Sequence, residues 1–155
     1  MFNLDQFKHF WENDLCPIIN GIIYANGTIK ILNPKTNMKN EYEYLPDFCG
    51  VMTIYEMSQK SEIQYTNIMK RQPIEVNAFN LLIYCGEGSW GGEGFVAVCE
   101  RLGSSEKLNW IAYFDYSNPM ERIEYQNNKI IAYSNLGRKW VFDIENPEKV
   151  EVVFG

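Results

Sequence analysis

The sequence predicts an α+β fold, namely a mainly antiparallel β-sheet meander with an N-terminal α-helix packed on one face. Short runs rich in β-branched and aromatic residues recur through the second half of the chain, with turn residues between them. The connections between these runs are too short for the crossover helix that parallel strands require. Apolar residues at helical spacing lie near the N-terminus, and such a helix would cover one face of the sheet.

The helical pattern is carried by the stretch LDQFKHFWEN. Over residues 4–13, it places Leu4, Phe7, Phe10 and Trp11 at positions i, i+3, i+6 and i+7. These positions lie on one side of an α-helix, so we expect this side to pack against the sheet.

A hairpin signal follows the predicted helix. The runs GIIYA and TIKIL flank Asn26-Gly27, and an Asn-Gly step between apolar runs is typical of a tight β-hairpin turn. We therefore expect these two runs to form paired strands.

The stretch from residue 47 to residue 75 is ambiguous. VMTIYEM fits a strand, and SEIQYTNIMK fits a short helix capped by Ser61, but neither periodicity is clean. The secondary structure of this stretch stays open at the level of sequence.

The second half of the chain gives the clearest strand pattern. Turn residues separate its runs, including Gln126-Asn127-Asn128-Lys129, which fits a tight hairpin turn. We expect these runs to pair in sequence order as an antiparallel meander. The runs are NAFNLLIYC, GFVAVCERL, LNWIAYFDY, RIEYQ, KIIAYS, KWVFDI and KVEVVF.

Length and composition indicate one folded domain, residues 1–155. The chain has 155 residues, of which 46% are hydrophobic, enough for one substantial core. Its net charge of -6 argues against nucleic acid or an anionic membrane as a partner, since both require clustered lysine and arginine. The polar N-terminus lacks the pattern of a signal peptide, so we expect a cytoplasmic protein with reduced cysteines.

The stretch CGEGSWGGEGF, residues 85–95, has the glycine spacing of nucleotide-binding loops at Gly86, Gly88 and Gly91. A dinucleotide-binding loop must open a helix, whereas this one leads into the strand-like run FVAVCE. The kinase-type loop lacks its companion motifs here, and two glutamates in the stretch would repel phosphate. We therefore do not expect a nucleotide site.

The same stretch predicts a partner-binding site at Glu87, Trp90 and Glu93. Tryptophan is enriched among the residues that dominate binding energy at protein interfaces, and the two carboxylates suit a basic partner. The alternative interpretation is that Trp90 folds back over the edge of the sheet.

The chain offers few candidates for catalysis. His9 is the only histidine and lies on the predicted helix, where a surface role is expected. The four cysteines have no zinc-ligand spacing, and strand acids on a meander are usually solvated. We predict no enzymatic activity, no catalytic or metal-binding residue and no cofactor. The acids considered are Glu100, Asp115, Glu124 and Asp143.

The C-terminal stretch NWIAYFDYSNPMERIEYQNNKIIAYSNLGRKWVFDIENPEKV resembles small bacterial immunity proteins of polymorphic or contact-dependent toxin systems. The resemblance covers about the last third of the chain. It implies a single-domain cytoplasmic inhibitor that binds and neutralises one cognate toxin domain and has no catalytic activity. The acidic balance of the chain predicts that this toxin domain is basic. The alternatives are a phage-encoded nuclease inhibitor, or a small-molecule-binding or hydrolytic domain with a pocket lined by Trp110 and Trp140.

Overall fold

The computed structural model describes residues 7, 9–35, 45–135 and 137–154. Within these residues there are thirteen β-strands and one α-helix, with short 3₁₀ turns between some of them. The strands are β1 Leu15–Pro17, β2 Gly21–Tyr24, β3 Thr28–Pro34, β4 Pro46–Thr53, β5 Tyr65–Lys70, β6 Ile74–Val76, β7 Leu81–Gly88, β8 Gly94–Leu102, β9 Ser105–Phe114, β10 Met120–Gln126, β11 Lys129–Ser134, β12 Arg138–Asp143 and β13 Glu151–Phe154. The helix, α1, is Ile54–Lys60.

Nine of the strands form one large antiparallel sheet that curls into a half-barrel. Its order is β1-β5-β7-β8-β9-β2-β3-β4, with β6 also pairing to β7. The remaining strands, β10 to β13, form a second antiparallel sheet in sequence order. The expected hairpins are confirmed, since β2 pairs with β3, and Asn127 and Asn128 take the positive φ angles of a type I′ turn.

The predicted fold class is wrong in its arrangement of strands and in the place of its helix. A single meander was expected, but the strands divide into two sheets, and β2 and β5 join the large sheet by long-range pairing with β9 and β7. The prediction failed because strand pairing depends on which faces of the strands are buried in the folded sheet. The local pattern of each run does not specify the partner strand.

The prediction of an N-terminal α-helix is also wrong. Of residues 4–13, residues 4–6 and 8 lie outside the described part of the chain, and the described remainder contains a 3₁₀ turn at Trp11–Asn13. Phe7, Phe10 and Trp11 are nevertheless buried, each 3% exposed. The apolar spacing therefore predicted burial correctly but not an α-helix, because a tight turn followed by β1 also buries these side chains.

The single described α-helix lies in the stretch that the sequence left open. Thr53 caps it, since its Oγ1 accepts a hydrogen bond from the backbone N–H of Glu56 at 3.0 Å. The helix suggested for SEIQYTNIMK is not formed. Residues 65–70 are strand β5, in which Thr66 and Ile68 are buried at a spacing of two.

The large sheet is buried on both faces at its centre, around β8. Alternate residues of β8 face two different cores, with Phe95 and Ala97 on one side and Val96 and Val98 on the other. The first core also contains Phe7, Phe10 and Trp11 from the chain before β1 and Ile54 from α1. The second core lies between the large sheet and the four-stranded sheet. This explains why β8 is a continuous apolar run rather than an alternating one.

Candidate functional site

The glycine-rich stretch forms the connection between β7 and β8. We call its residues 89–93 the Trp90 loop. The loop leads directly into strand β8, so it lacks the helix N-terminus that a dinucleotide pyrophosphate requires. Backbone conformation and close packing explain the presence of glycine at two positions of this stretch. Gly91 has a φ of +92°, and a Cβ on Gly88 would lie 2.6 Å from Oε2 of Glu93.

Trp90 points into solvent. Its side chain is 79% exposed, the largest value among the exposed large hydrophobic residues of the described chain. The alternative in which Trp90 folds back over the sheet is therefore not what the structure adopts. An isolated exposed tryptophan on a loop is a typical anchor at a protein interface.

Glu93 lies inside the fold, not on its surface. It is 3% exposed, its Oε1 accepts a hydrogen bond from the backbone N–H of Trp90, and its Oε2 accepts one from the hydroxyl of Tyr113. Both distances are 2.6 Å. Burial, followed by this hydrogen bond to Glu93, raises the pKa of Tyr113 above its ordinary value, so the hydroxyl remains a donor. Glu93 thus holds the loop from within.

Two further hydrogen bonds fix the Trp90 loop. The hydroxyl oxygens of Ser89 and Thr66 are 2.8 Å apart, and the backbone N–H of Asn118 donates to the carbonyl of Gly92 at 2.8 Å. Thr66 belongs to β5 and Asn118 to the segment after β9. The loop is therefore tied to the strands on either side of its own hairpin.

Glu87, the third predicted partner-binding residue, lies on β7 just before the loop. Its side chain is half-buried, and it is paired across the strands with Met69 of β5, which is 66% exposed. Glu87 and Trp90 can both be reached from solvent, whereas Glu93 cannot. The structure thus brings the three predicted residues together but gives Glu93 a different role.

Antiparallel pairing places two more loops beside Trp90. Gly94 is opposite Phe114, and Gly21 is opposite Tyr113, so the segments before β2 and after β9 reach the same end of the sheet. The backbone N–H of Asp115 donates to the side-chain oxygen of Asn20 at 2.8 Å. We call this surface, formed by residues 18–20, 89–93 and 115–118, the Trp90 end. It exposes the carboxylate of Asp115 and the side chain of Ile18.

The strand acids considered for catalysis do not form one site. Asp115 lies at the Trp90 end, and Glu100 is near the opposite end of β8. Glu124 is bound by Arg122 and Tyr133, and Asp143 accepts hydrogen bonds from the backbone of the turn that follows it. Among the described residues, no group of three or more potential ligands is placed to hold a metal ion.

Trp110 and Trp140 are core side chains in the space between the two sheets. The ring of Trp140 lies 4.7 Å from that of Phe114, and the ring of Trp110 lies 5.9 Å from that of Phe142. A pocket of about 220 Å³ reaches Trp110 and is lined by Glu145, but its lining does not include Trp140. Both indoles thus pack against core aromatic rings, which gives no support to the alternative of a pocket that they line together.

A pocket of about 410 Å³ lies at the end of the sheet opposite Trp90, between the N-terminal segment and the β8–β9 turn. Two carboxylates line it, Glu12 and Glu106, and Glu106 accepts hydrogen bonds from the indole N–H of Trp11 at 3.2 Å and from the hydroxyl of Tyr84 at 2.5 Å. His9, the only histidine, is exposed nearby and contacts Glu12 at 3.2 Å. Glu106 is thus held by Trp11 and Tyr84, and His9 is paired with Glu12.

Sequence reasoning missed Tyr113, Thr66 and Asn118, which position the Trp90 loop. Each is distant from residue 90 in sequence and meets it only through strand register. The available signal in the sequence was a glutamate between glycines, next to an apolar strand. In such a setting a carboxylate can be buried only if hydrogen-bond donors are present inside the fold.

Comparison with protein-family models, with curated proteins and with solved structures finds no match to this chain. In the described part of the chain, no helix has both the length and the apolar character needed to cross a membrane.

Proposed function

We propose that this chain is an immunity-type inhibitor that binds a cognate protein toxin in the cytoplasm and blocks its active site through the Trp90 end. The observation that carries the proposal is the pairing of a 79% exposed tryptophan with a backbone held by buried hydrogen bonds. Tryptophan is enriched among interface hot spots, and a fixed loop keeps the ring in one place before binding. Both features suit an interface anchor.

Charge indicates the nature of the partner. The chain carries a net charge of -6, and Glu87 and Asp115 lie close to Trp90 in the fold. Acidic groups around an aromatic anchor favour a partner whose pocket is rimmed by lysine and arginine, because opposite charges speed the encounter. Toxin domains that cleave nucleic acid commonly present such basic surfaces.

The sequence resemblance adds a second line of support. The stretch that resembles immunity proteins runs from Asn109 to Val150 and supplies most of β9 and the strands β10 to β12. It also supplies Asp115 at the Trp90 end. The proposal gives this stretch a scaffold role and assigns recognition mainly to the loops at one end of the large sheet.

The test uses the gene context and one matched pair of variants. The chain is mixed with the C-terminal domain encoded by the adjacent upstream gene, and affinity is measured by calorimetry while growth is followed on co-expression. Trp90→Ala should weaken binding by about 30-fold or more, the effect typical of an interface hot spot. Phe79→Ala is the control, because Phe79 is 59% exposed at the other end of the sheet.

Two outcomes would contradict the proposal. One is the absence of binding to any toxin domain encoded beside the gene. The other is an equal loss of affinity in Trp90→Ala and Phe79→Ala, which would move the interface away from the Trp90 end. An upstream metabolic operon in place of a toxin gene would be a case of the first outcome.

The contribution of charge is tested separately. Glu87→Lys combined with Asp115→Lys should lower the association rate, and the reduction should be larger at low salt, where screening is weak. Glu93 is left unchanged in this variant because its carboxylate is buried. An unchanged association rate would exclude electrostatic steering by this end of the sheet.

A further inference from the structure

Glu93 carries a buried carboxylate. It accepts one hydrogen bond from the backbone of the Trp90 loop and one from Tyr113 of β9. In the part of the chain that the structure describes, its polar contacts are Tyr113 and the Trp90 backbone, and no lysine or arginine pairs with it. Burial of a carboxylate without a counter-ion is unfavourable, even when hydrogen bonds replace some of the lost water. Its presence is therefore weak evidence of a role in stability alone.

The role of Glu93 follows from what holds Trp90. The indole makes no ring contact with another described aromatic residue, so its place relative to the fold depends on its backbone. Among the described residues, Glu93 alone is seen to bind the backbone of residue 90 itself, through the N–H group. Glu93 is in turn held by Tyr113, which is 1% exposed and lies next to the C-terminal end of β9.

We infer that Glu93 is a positioning residue, which together with Tyr113 fixes the backbone of Trp90 before a partner binds and does not itself touch the partner. The consequence for binding rests on the proposed function. A fixed backbone leaves only the two χ angles of the indole to be ordered on binding. Such an anchor fits a partner with a preformed apolar pocket, since neither side must reorganise.

The test can be made without any partner. Tyr113→Phe removes one hydroxyl group and changes no residue of the Trp90 loop. We expect the order parameter of the Trp90 amide, from ¹⁵N relaxation, to fall from about 0.85 to below about 0.6. Glu93→Ala should give the same loss. Glu93→Gln should retain most of the order, because its amide oxygen can still accept the Trp90 N–H.

The fold supplies a matched control. The hydroxyl of Tyr84 donates to Oε2 of Glu106 at 2.5 Å, which is the same chemistry at the opposite end of the sheet. Tyr84→Phe should leave the order parameter of Trp90 unchanged. If the Tyr113–Glu93 hydrogen bond served stability alone, Tyr113→Phe would lower the melting temperature just as Tyr84→Phe would through Glu106. Neither variant would then selectively change the order at Trp90.

The outcomes separate this inference from the proposed function. If the Trp90 amide stays rigid in Tyr113→Phe, or loosens equally in Tyr84→Phe, the positioning role is overturned whether or not a toxin binds. If it loosens selectively and no toxin binds, the positioning role stands and the immunity function fails. With a cognate toxin domain, Tyr113→Phe should raise the dissociation rate by up to about tenfold.

Discussion

Tyr24 donates its hydroxyl hydrogen to Oε2 of Glu148 at 3.1 Å, although 124 positions separate the two residues in the chain. The other oxygen of Glu148 lies 3.2 Å from Nζ of Lys30. Glu148 belongs to the turn between β12 and β13, whereas Tyr24 and Lys30 belong to β2 and β3. One carboxylate therefore joins the two sheets, and at 17% exposure it is screened less than a surface ion pair.

This carboxylate should make stability depend on pH. Burial alone would raise the pKa of Glu148, but hydrogen bonds from its own backbone, from Lys30 and from Tyr24, with the charge of Lys30, hold it below its ordinary value. Because the folded pKa lies below the unfolded value of about 4.3, the stabilisation is present above that pH and is lost as pH falls through the folded pKa. Urea unfolding of Glu148→Gln should show a free energy of unfolding lower by about 1–3 kcal/mol at neutral pH.

The difference between wild type and Glu148→Gln should shrink as the solution is acidified. Glu151→Gln is the matched control, since Glu151 is an exposed carboxylate on the neighbouring strand β13. This control should change stability by less than about 0.5 kcal/mol. A difference for Glu148→Gln that stays constant from neutral to acid pH would show that the charge of Glu148 does not contribute.

The four cysteines should react very unequally in the native protein. Cys49 is exposed, whereas Cys16, Cys85 and Cys99 are buried. Burial raises the pKa of Cys85 to about 11, an effect that Arg71 partly offsets, and it raises the pKa of the other two further. A thiol reagent should therefore label one site rapidly, and Cys49→Ser should abolish that labelling. Rapid labelling of two or more sites would mean that the core opens more readily than its packing implies.

Gly88 should be intolerant of a side chain, while a nearby glycine tolerates one. A methyl group on Gly88 would lie 2.6 Å from Oε2 of Glu93, whereas one on Gly92 would meet only the carbonyl of Asp115 at 3.8 Å. Gly88→Ala should lower the free energy of unfolding by about 1–3 kcal/mol and speed hydrogen exchange at the Trp90 amide. Gly92→Ala should leave both close to wild type. Equal effects in the two variants would refute a specific clash with Glu93.

The strands of the second half are foreseeable because their signals are local. Alternating or continuous β-branched and aromatic residues determine where a strand lies, and Asn127-Asn128 specifies a turn in which both residues take positive φ. The burial of Phe7, Phe10 and Trp11 was also foreseeable from their spacing. The α-helix predicted for this segment was wrong, because a 3₁₀ turn at Trp11–Asn13 satisfies the same need for burial.

Strand pairing and the inward turn of Glu93 depend on information that no local window holds. The register of β8 with β9 brings Tyr113 to Glu93 across 20 positions, and a glutamate in a glycine-rich loop is otherwise expected in solvent. Trp90 was identified as a candidate because its identity alone suggests a role at an interface. Its exposure could be learned only from the folded chain.

The two-sided burial of β8 predicts that neighbouring residues on opposite faces are both essential for stability. Phe95 faces the first core and Val96 faces the second sheet, and each is 0% exposed. Phe95→Ala should cost about 3–5 kcal/mol and Val96→Ala at least about 1.5 kcal/mol in urea unfolding. Val51→Ala, on the exposed face of β4, should change little, because Val51 is 57% exposed. A neutral effect of either core variant would mean that one face of the large sheet is open to water.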